Sequence, residues 1–417
     1  GNTASGHHFN AIRVYGNLDG SATWENSIPF VIESAVNVMA GATLTVQPGS
    51  VIKTTPSSGR LAVYGTLHAD GTSGAPIVFT SYADDTAGGD TNGDGTASAP
   101  VRGDWGGVGF LAGSVANTVS NAVIRYGGGL DWGYYHYGDI FADTSSLSVS
   151  KTTLALSANE GFRNNNAAAP SFDTVTFANN GRWAGYFDDP DGTAGALRNS
   201  VMTGNGTNGW RVSGTLDGTA TWNDTVTFVV DGTLIVAAGA RLDVKAGVVV
   251  KIAPAVAGRI QVAGTLRAEG TDTQAVTFTS LRDDSVGGDT NADGTATVPA
   301  PGDIQGLGFY AGSANCVLSH AVVRFGGGWD WGYYHWSNIY SESTGLSISD
   351  TSIADSAQAG IYFPTATVSV VRSRIERCGT FGVMFGGSPT GSITNCPALE
   401  SFYYEAAGAR ITWSGNT

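Results

Sequence analysis

The chain has 417 residues, of which 60 are glycine, 41% are apolar and 13% are charged. This apolar content excludes a disordered chain, and the formal net charge of −14 at pH 7 disfavours nucleic acid and anionic membranes as partners. The sequence holds no run of about 18 apolar residues, so we expect no membrane span.

An internal repeat extends along nearly the whole chain, and its period is 199 residues or one fewer. The segment from Arg13 to Gly20 matches that from Arg211 to Gly218, and Lys53 matches Lys251. We therefore predict two tandem homologous units, residues 1–208 and 209–417. The segment from Arg410 to Trp413 resembles the first strand of a unit, which indicates the start of a third.

Within each unit, apolar residues alternate with polar ones over four to six positions, and Gly, Asn, Asp or Ser ends each run. Examples lie at residues 44–46, 61–67, 346–348 and 368–370. Alternation of this kind is typical of short β-strands. The strand signals recur at the length of one solenoid coil, and two longer insertions interrupt them in the first unit, from Asp84 to Arg102 and from Leu130 to Thr144.

Three phrases carry a family resemblance: Gly41-Ala42-Thr43-Leu44-Thr45-Val46, Gly65-Thr66-Leu67 and Gly103-Asp104-Trp105-Gly106-Gly107-Val108. Here the chain resembles right-handed parallel β-helix proteins, the pectin-lyase-like architecture of many secreted and surface bacterial proteins. The resemblance implies an all-β, right-handed parallel β-helix (a solenoid), and the internal repeat divides this solenoid into two tandem units. It implies no single activity, because this fold hosts lyases, hydrolases, adhesins and structural fibres.

An Asp-rich motif occurs once in each unit, as Gly-Gly-Asp-Thr-Asn-Gly-Asp-Gly-Thr at residues 88–96 and in nearly the same form at 287–295. Oxygen-bearing side chains at positions 1, 3 and 5 with Gly at 6 form the front half of a calcium loop. The candidate calcium ligands are Asp90, Asn92, Asp94 and Thr96, and Asp289, Asn291, Asp293 and Thr295.

The motif departs from an EF-hand at position 12, where Val101 and Ala300 replace the bidentate Glu. Other residues must then complete the coordination shell, and the candidates are Asp84, Asp85 and Asp104, with Asp283, Asp284 and Asp303 in the second unit. The alternative is an Asp/Asn/Gly turn without metal. We expect the calcium to be structural.

An aromatic loop also occurs in each unit, within residues 131–137 and 330–336. Its candidate contact residues are Trp132, Tyr134, Tyr135 and His136, and Trp331, Tyr333, Tyr334 and His335. Three interpretations stay open: a platform on which sugars stack, a protein–protein contact, and a lid folded over the flank of the solenoid.

Catalytic chemistry has little support in the sequence. A general acid–base role for His136 or His335 would need a partner, for which Asp131 or Asp330 is a candidate. We expect Arg125 and its counterpart in the second unit to pair with nearby carboxylates rather than to act as bases. The chain lacks a P-loop, a zinc-spaced Cys/His set, a Gly-x-Ser-x-Gly elbow and a dinucleotide fingerprint.

Of the three cysteines, Cys378 and Cys396 lie 18 positions apart in similar local sequence, so a disulfide between adjacent coils and two packed thiols both fit. Cys316 is expected to be buried. The chain begins at Gly1 without Met, which suggests a removed signal peptide or a fragment of a longer protein.

Together these patterns predict a secreted or cell-surface structural or adhesive β-solenoid that calcium stabilises, and they leave the question of an enzymatic activity open. Its open ends favour head-to-tail assembly with other copies into a fibre. The alternative is a carbohydrate-binding or polysaccharide-degrading β-helix protein. The expected partner is accordingly a second copy of the chain or a surface glycan.

Overall fold

The computed structural model describes residues 10–143, 146–166, 169–254, 258–332, 335–399, 401–404 and 408–417. Within these ranges the chain forms 42 β-strands and one short 3-10 helix, Pro190–Ala194. The predicted all-β class is therefore confirmed. No helix in the described part of the chain has the length and apolar character that crossing a bilayer requires.

Two compact units divide the chain: Gly1–Asp188 with Gly195–Trp210, and Asp189–Ala194 with Arg211–Thr417. The homologous units 1–208 and 209–417 stay a prediction, because this division rests on compactness and not on repetition. The strands up to this division are β1 (Ile12–Leu18), β2 (Ala22–Trp24), β3 (Phe30–Val38), β4 (Thr43–Val46), β5 (Val51–Thr54), β6 (Arg60–Val63), β7 (Thr66–Asp70), β8 (Ile77–Ser81), β9 (Val108–Phe110), β10 (Asn117–Ser120), β11 (Ala122–Arg125), β12 (Ile140–Asp143), β13 (Leu147–Ser150), β14 (Thr153–Ala155), β15 (Phe162–Asn165), β16 (Ser171–Asp173), β17 (Thr176–Ala178), β18 (Trp183–Phe187), β19 (Leu197–Arg198), β20 (Val201–Thr203) and β21 (Thr207–Leu216).

Strand β21 crosses the division between Trp210 and Arg211, and the remaining strands belong to the second unit. They are β22 (Thr219–Trp222), β23 (Phe228–Val236), β24 (Arg241–Lys245), β25 (Val249–Ile252), β26 (Arg259–Val262), β27 (Thr265–Glu269), β28 (Val276–Ser280), β29 (Gly306–Phe309), β30 (Cys316–Ser319), β31 (Ala321–Arg324), β32 (Ser337–Ser341), β33 (Leu346–Ser349), β34 (Ser352–Ala354), β35 (Ala359–Phe363), β36 (Thr367–Val371), β37 (Arg374–Glu376), β38 (Val383–Phe385), β39 (Thr390–Thr394), β40 (Ala398–Leu399), β41 (Phe402–Tyr404) and β42 (Arg410–Ser414).

In the first unit the strands stack in three parallel ladders. The first ladder runs β3–β5–β8–β11–β14–β17–β20, and the second runs β3–β6–β9–β12–β15–β18. The third is a seven-stranded sheet, β2–β4–β7–β10–β13–β16–β19. Each coil adds one strand to each ladder, which is the arrangement of a parallel β-helix and confirms the predicted fold.

The second unit repeats this arrangement. Its first ladder runs β23–β25–β28–β31–β34–β37–β40, and its second runs β23–β26–β29–β32–β35–β38–β41. Its third ladder is an eight-stranded sheet that begins at β22 and ends at β42.

The core of each unit consists of columns of apolar side chains in register. In the first ladder of the first unit, Ile52, Phe79, Ile124, Leu154 and Phe177 occupy paired positions on successive strands. All five are fully buried. Because side chains alternate between the faces of a strand, the neighbours of these residues point away from the core.

The insertions leave the coils at equivalent places. The Asp-rich loop lies between β8 and β9 in the first unit and between β28 and β29 in the second. The aromatic loop lies between β11 and β12, and between β31 and β32. The predicted insertion from Leu130 to Thr144 is wrong at its end, because Ile140–Asp143 forms β12, where Ile140 pairs with Val108 and Phe162 in register.

Candidate metal centres and aromatic loops

Each Asp-rich loop brings three carboxylates together. Each carboxylate offers one oxygen, and within a cluster these oxygens lie within 4.8 Å of one another. The clusters are Asp85, Asp90 and Asp94 in the first unit, and Asp284, Asp289 and Asp293 in the second. We call these the acidic clusters. Four of their six members were predicted ligands, and Asp85 and Asp284 were among the proposed completing residues.

The first residue of each motif organises its own loop. Asp90 accepts hydrogen bonds from the backbone N–H groups of Gly93 (2.7 Å) and Gly95 (2.9 Å). Asp289 likewise accepts from Asp293 (3.1 Å) and Gly294 (2.9 Å). These bonds fold the loop so that positions 1 and 5 face each other.

The remaining predicted ligands contribute differently. The Asn92 amide nitrogen donates to Asp94 over 3.0 Å, and the Asn291 amide nitrogen donates to Asp293 over 2.8 Å. Both amides therefore bridge the loop to its position-5 carboxylate. Thr96 and Thr295 follow as exposed residues at the outer end of each motif.

Several cluster oxygens are buried without a hydrogen bond. Oδ1 of Asp85, of Asp284 and of Asp293 receives no hydrogen bond from any residue in the described ranges. A buried carboxylate oxygen without a donor costs free energy, and a bound cation removes that cost. Hard carboxylate oxygens are the ligands that calcium prefers, so the clusters fit this ion in donor type.

The pKa of Asp85 reflects this crowding. Burial raises it above its ordinary value; the charge of Lys53 acts in the opposite direction, while Asp90 and Asp94 add to the increase. Asp284 has a raised pKa for the same reasons, with Lys251 as the opposing charge.

A fully buried lysine lies beneath each loop. The Nζ of Lys53 donates to the Gly89 carbonyl over 2.6 Å, and the Nζ of Lys251 donates to the Gly288 carbonyl over 2.6 Å. Burial lowers the pKa of Lys53, whereas Asp85, Asp84 and Asp90 raise it. The sequence repeat contained these lysines, but nothing in it connected them with the loops.

Asp84 and Asp104 form hydrogen bonds and ion pairs outside the acidic cluster. Asp84 is buried, accepts from the Thr80 hydroxyl and pairs with Nη2 of Arg125 over 2.6 Å. Asp104 accepts from the Ser81 hydroxyl over 2.5 Å and from the Val101 N–H over 3.0 Å. The second unit repeats the buried pair as Arg324 with Asp283, at 2.5 Å. The arginines thus form the expected ion pairs with nearby carboxylates.

The tryptophans of the aromatic loops pack on the second ladder. A Cβ on Gly109 would lie 2.5 Å from the Trp132 ring, so the ring lies directly on this glycine. Gly308 stands in the same relation to Trp331. Trp132 also donates from Nε1 to the Gly106 carbonyl (2.9 Å), and Trp331 is 8% exposed. These two rings cover the flank of the β-helix, as in the lid interpretation.

Tyr134 and Tyr135 have the opposite placement. They are 91% and 79% exposed, and both have positive φ angles, 54° and 67°. Their counterparts Tyr333 and Tyr334 lie outside the described residues. The loop of the first unit thus presents two tyrosine rings to solvent beside its packed tryptophan.

Asp131 and Asp330 accept hydrogen bonds from the backbone of the aromatic loops. Oδ1 of Asp131 accepts from the N–H groups of Gly133 (2.8 Å) and His136 (2.9 Å). Oδ1 of Asp330 accepts from the N–H of His335 over 2.8 Å. The suggested pairing of the His136 ring with Asp131 is therefore wrong, because the carboxylate is engaged by the backbone.

The His136 ring instead contacts a charged group that sequence reasoning missed. Its Nε2 lies 3.3 Å from Oδ2 of Asp188, and Arg163 binds the same carboxylate through two hydrogen bonds of 2.7 and 2.9 Å. Burial alone would raise the pKa of Asp188, but the His136 and Arg163 contacts outweigh it and hold the pKa below its ordinary value.

Glu160 extends this cluster inward. It is fully buried, and its Oε1 lies 3.6 Å from Nη1 of Arg163 and 3.6 Å from Nη1 of Arg182. Burial raises the pKa of Glu160, and the two guanidinium groups oppose that increase.

The second unit has aromatic rings at this place. Tyr362 aligns with Tyr340 across the second ladder, just as Arg163 aligns with Phe141. The His335 ring stacks on Tyr362 with centroids 4.1 Å apart. The sequence signal for the charged cluster is a difference between the units: the repeat aligns Arg163 of the first unit with Tyr362 of the second.

The cysteines are thiols. The Sγ of Cys378 lies 3.7 Å from the Glu376 carbonyl, and the Sγ of Cys396 lies 3.6 Å from the Thr394 carbonyl. Of the two alternatives left open by the sequence, the structure has packed thiols. Cys316 is buried, as expected, and burial raises its pKa.

Comparison with known proteins identifies one family. Residues 16–146 match the family described as pectate-lyase like beta helix domain. The match confirms the resemblance to pectin-lyase-like β-helix proteins. No curated protein matches the chain.

Two solved structures are similar. The catalytic domain of Agl-KA is 9% identical, with a TM-score of 0.22, and the match covers 94% of this chain and 62% of that one. A mutant tailspike protein of E. coli bacteriophage HK620, in complex with a pentasaccharide, is 12% identical, with a TM-score of 0.17, and the match covers 87% and 58%. The chain thus spans about three fifths of each, and at these TM-scores neither supports an argument.

Proposed function

We propose that this parallel β-helix is an extracellular structural or adhesive element whose two acidic clusters bind calcium. The observation that carries the proposal is the recurrence of the same three-carboxylate cluster in both units, with buried Asp85 and Asp284 oxygens that accept no hydrogen bond within the described ranges. A solvated acidic turn would leave such oxygens exposed to water.

Calcium would act on stability and not on chemistry. It takes about six to eight oxygen ligands, so three carboxylates require additional carbonyl or water oxygens. The bound ion would neutralise the repulsion within the cluster and hold a long loop that has no strands of its own. Asp85 would link the ion to the end of β8, because it lies four residues beyond Ser81.

Isothermal titration with calcium tests the proposal. We expect two ions to bind per chain, one to be lost in each of the single variants Asp85→Asn and Asp284→Asn, and Tm to fall in excess chelator. Asp19→Asn removes an exposed carboxylate outside both clusters and serves as the control. Unchanged stoichiometry in the double variant would refute the calcium sites.

Self-assembly is the second part of the proposal, and its proposed partner is another copy of the chain. Strand β42 is an edge strand of the eight-stranded sheet among the described residues, and a strand of a second copy would pair with it there. Phe402 is 50% exposed beside a cavity of about 380 Å³ that Trp413 also lines. Sedimentation velocity at increasing concentration should show species larger than the monomer, and Phe402→Ser should reduce them. A monomer at every concentration, with and without calcium, would remove this part.

A second candidate function is glycan binding. It is favoured by the exposed rings of Tyr134 and Tyr135 and by the pectate-lyase-like description of the matching family. Exposed tyrosines bind sugars by stacking on their apolar faces and donating hydrogen bonds. For a polysaccharide-degrading activity the candidate residues are His136, Arg163 and Asp188, a cluster that the second unit does not repeat.

A further inference from the structure

A buried carboxyl group lies where the aromatic loop of the first unit returns to the β-helix. Asp139 is fully buried, directly before β12. Its Oδ1 accepts a hydrogen bond of 2.8 Å from the Gly127 N–H. Its Oδ2 is buried and receives no hydrogen bond from any residue of the described ranges.

The second unit shows what this position requires. Asn338 occupies the equivalent place, and its Oδ1 accepts from the Gly326 N–H over 2.6 Å. Its amide nitrogen donates to the carbonyl of Ala354 over 2.7 Å and to that of Val323 over 3.4 Å. The pocket therefore offers one backbone N–H donor to the side-chain Oδ1 and backbone carbonyl acceptors to the other terminal atom, the amide nitrogen.

The first unit keeps the same pocket around Asp139. Each residue that contacts Asn338 has a counterpart one repeat period earlier: Gly127 for Gly326, Ala155 for Ala354, and Ile124 for Val323. A Cβ on Gly127 would lie 2.6 Å from Oδ1 of Asp139, and one on Gly326 would lie 2.5 Å from Oδ1 of Asn338. The two side chains are thus held in the same orientation.

An ionised carboxylate cannot reproduce the asparagine interactions. Both of its oxygens only accept hydrogen bonds, so Oδ2 would face carbonyl oxygens with lone pairs against lone pairs. A protonated carboxyl group has one O–H donor and imitates the asparagine amide. Full burial further disfavours the charged form.

We propose that Asp139 is held as a neutral carboxylic acid whose Oδ2–H takes the place of the Asn338 amide as a donor to a backbone carbonyl, and that its ionisation at higher pH loosens the aromatic loop of the first unit. The link to the loop is direct. Asp139 follows the loop residue His136 by three positions, and its bond to Gly127 joins the two ends of the insertion.

The charged groups around Asp139 are compatible with this assignment. Burial raises its pKa well above the ordinary value, whereas the backbone contacts of Gly127 and Ala155 and the charge of Arg102 act in the opposite direction. The other titratable neighbours are His136, which pairs with Asp188, and Glu160, whose carbonyl accepts from the Asp139 N–H.

The direction of the pH effect follows from linkage. The folded chain holds this proton more tightly than the unfolded chain, where the ordinary value of 3.8 applies. The stabilising contribution is therefore complete below about pH 4 and is lost as pH rises through the folded-state value.

Urea unfolding from pH 4 to pH 9 tests the proposal with a matched pair of variants. Asp139→Asn should remove this loss of stability, so that the variant exceeds the parent at pH 9. Asn338→Asp should introduce a loss of the same sign in the second unit. Parallel pH–stability curves for the parent and both variants would overturn the proposal.

Two measurements on the unaltered chain keep the proposal testable if a variant fails to fold. Infrared spectra at pH 7 should contain the carbonyl band of a protonated carboxyl group, and its absence would overturn the assignment. Hydrogen exchange of residues 126–139, corrected for the intrinsic pH effect, should accelerate by up to tenfold per pH unit above the folded-state pKa. Constant protection would refute the loosening of the loop.

Discussion

The ammonium group of Lys53 lies 2.6 Å from the carbonyl oxygen of Gly89, and no part of the lysine side chain reaches solvent. Lys53 follows the core residue Ile52 and therefore points away from the core, into the underside of the Asp-rich loop. The loop thus lies against a buried cation whose charge acts on Asp85 and Asp90 of the acidic cluster.

Replacing this cation should expose the dependence of the loop on charge. Lys53→Met leaves the Gly89 carbonyl without its donor and the nearby carboxylates without a counter-charge, so we expect a loss of about 3 kcal/mol in chelator. Calcium should recover more stability in the variant than in the parent, because the ion then supplies the missing positive charge. Urea unfolding with calcium and with chelator measures both quantities, and an equal calcium effect in the two proteins would contradict the expectation.

The Arg125–Asp84 pair should contribute more to stability than an exposed ion pair. Arg125→Met leaves the Asp84 carboxylate buried without its guanidinium partner, which costs about 3–5 kcal/mol. The control is Arg372→Met, because Arg372 is 57% exposed in its pair with Asp350 and solvent screens such pairs, so that they contribute little to stability. Equal losses of unfolding free energy in the two variants would show that burial of the pair is unimportant.

The two Asp-rich loops differ at one strained position. Gly93 has a φ of 70°, and its counterpart Ala292 has a φ of 55°. A left-handed conformation costs a non-glycine residue about 1–2 kcal/mol. A glycine at the same position lowers the free energy of unfolding by about 0.4–1 kcal/mol, because it gives the unfolded chain more conformational freedom. Ala292→Gly should therefore stabilise the second unit by up to about 1 kcal/mol, and Gly93→Ala should destabilise the first. Thermal unfolding measures both, and changes of the same sign would contradict this reasoning.

Any side chain at Gly109 should displace the aromatic loop. The Cβ of Gly109→Ala would meet the Trp132 ring at 2.5 Å, and overpacking of this kind costs about 1–3 kcal/mol. We expect lower Tm and a red-shifted tryptophan emission. Gly74→Ala is the matched control, since its Cβ would have no atom of the described residues within 4 Å. Unchanged emission in Gly109→Ala would mean that Trp132 does not lie on this glycine in solution.

The glycan-binding alternative predicts a change in binding without a change in stability. Tyr134→Ala and Tyr135→Ala remove exposed rings, so Tm should stay the same while binding on a glycan array is lost. Tyr64→Ala removes another exposed tyrosine, outside the loop, and should leave binding intact. Array signals that survive in the double variant would exclude these rings as the platform.

The fold could be predicted because its information is local and repeated. Alternation at residues 44–46 and 61–67 marks strands β4, β6 and β7, and the repeat shows that the second half is built like the first. The position of β12 was harder to recognise, because Ile140 becomes a strand residue only through its pairing with Val108 and Phe162.

The candidate sites were predictable only in part, for a similar reason. Asp90 and Asp94 belong to one motif with fixed spacing, so their proximity followed from sequence. Asp85 belongs to the acidic cluster and Asp84 does not, because Asp84 pairs with Arg125. Arg125 lies 41 positions after Asp84, so no local pattern in the sequence shows this pairing. The contact between His136 and Asp188 likewise joins two segments 52 positions apart, and no local pattern connects them.

The ladder arrangement also has a kinetic consequence. Each inner strand of the eight-stranded sheet hydrogen-bonds to the strand before it and to the strand after it. A strand at an edge has one such neighbour, so its opening breaks the bonds on a single side. Opening should then advance from the edge strands β22 and β42 into the sheet in steps of one coil, because an inner strand keeps both neighbours until the strand outside it has opened. Amide protons of this sheet would then exchange in the order of their distance from the nearer edge strand, so that the gradient of exchange rates reports the path of unfolding.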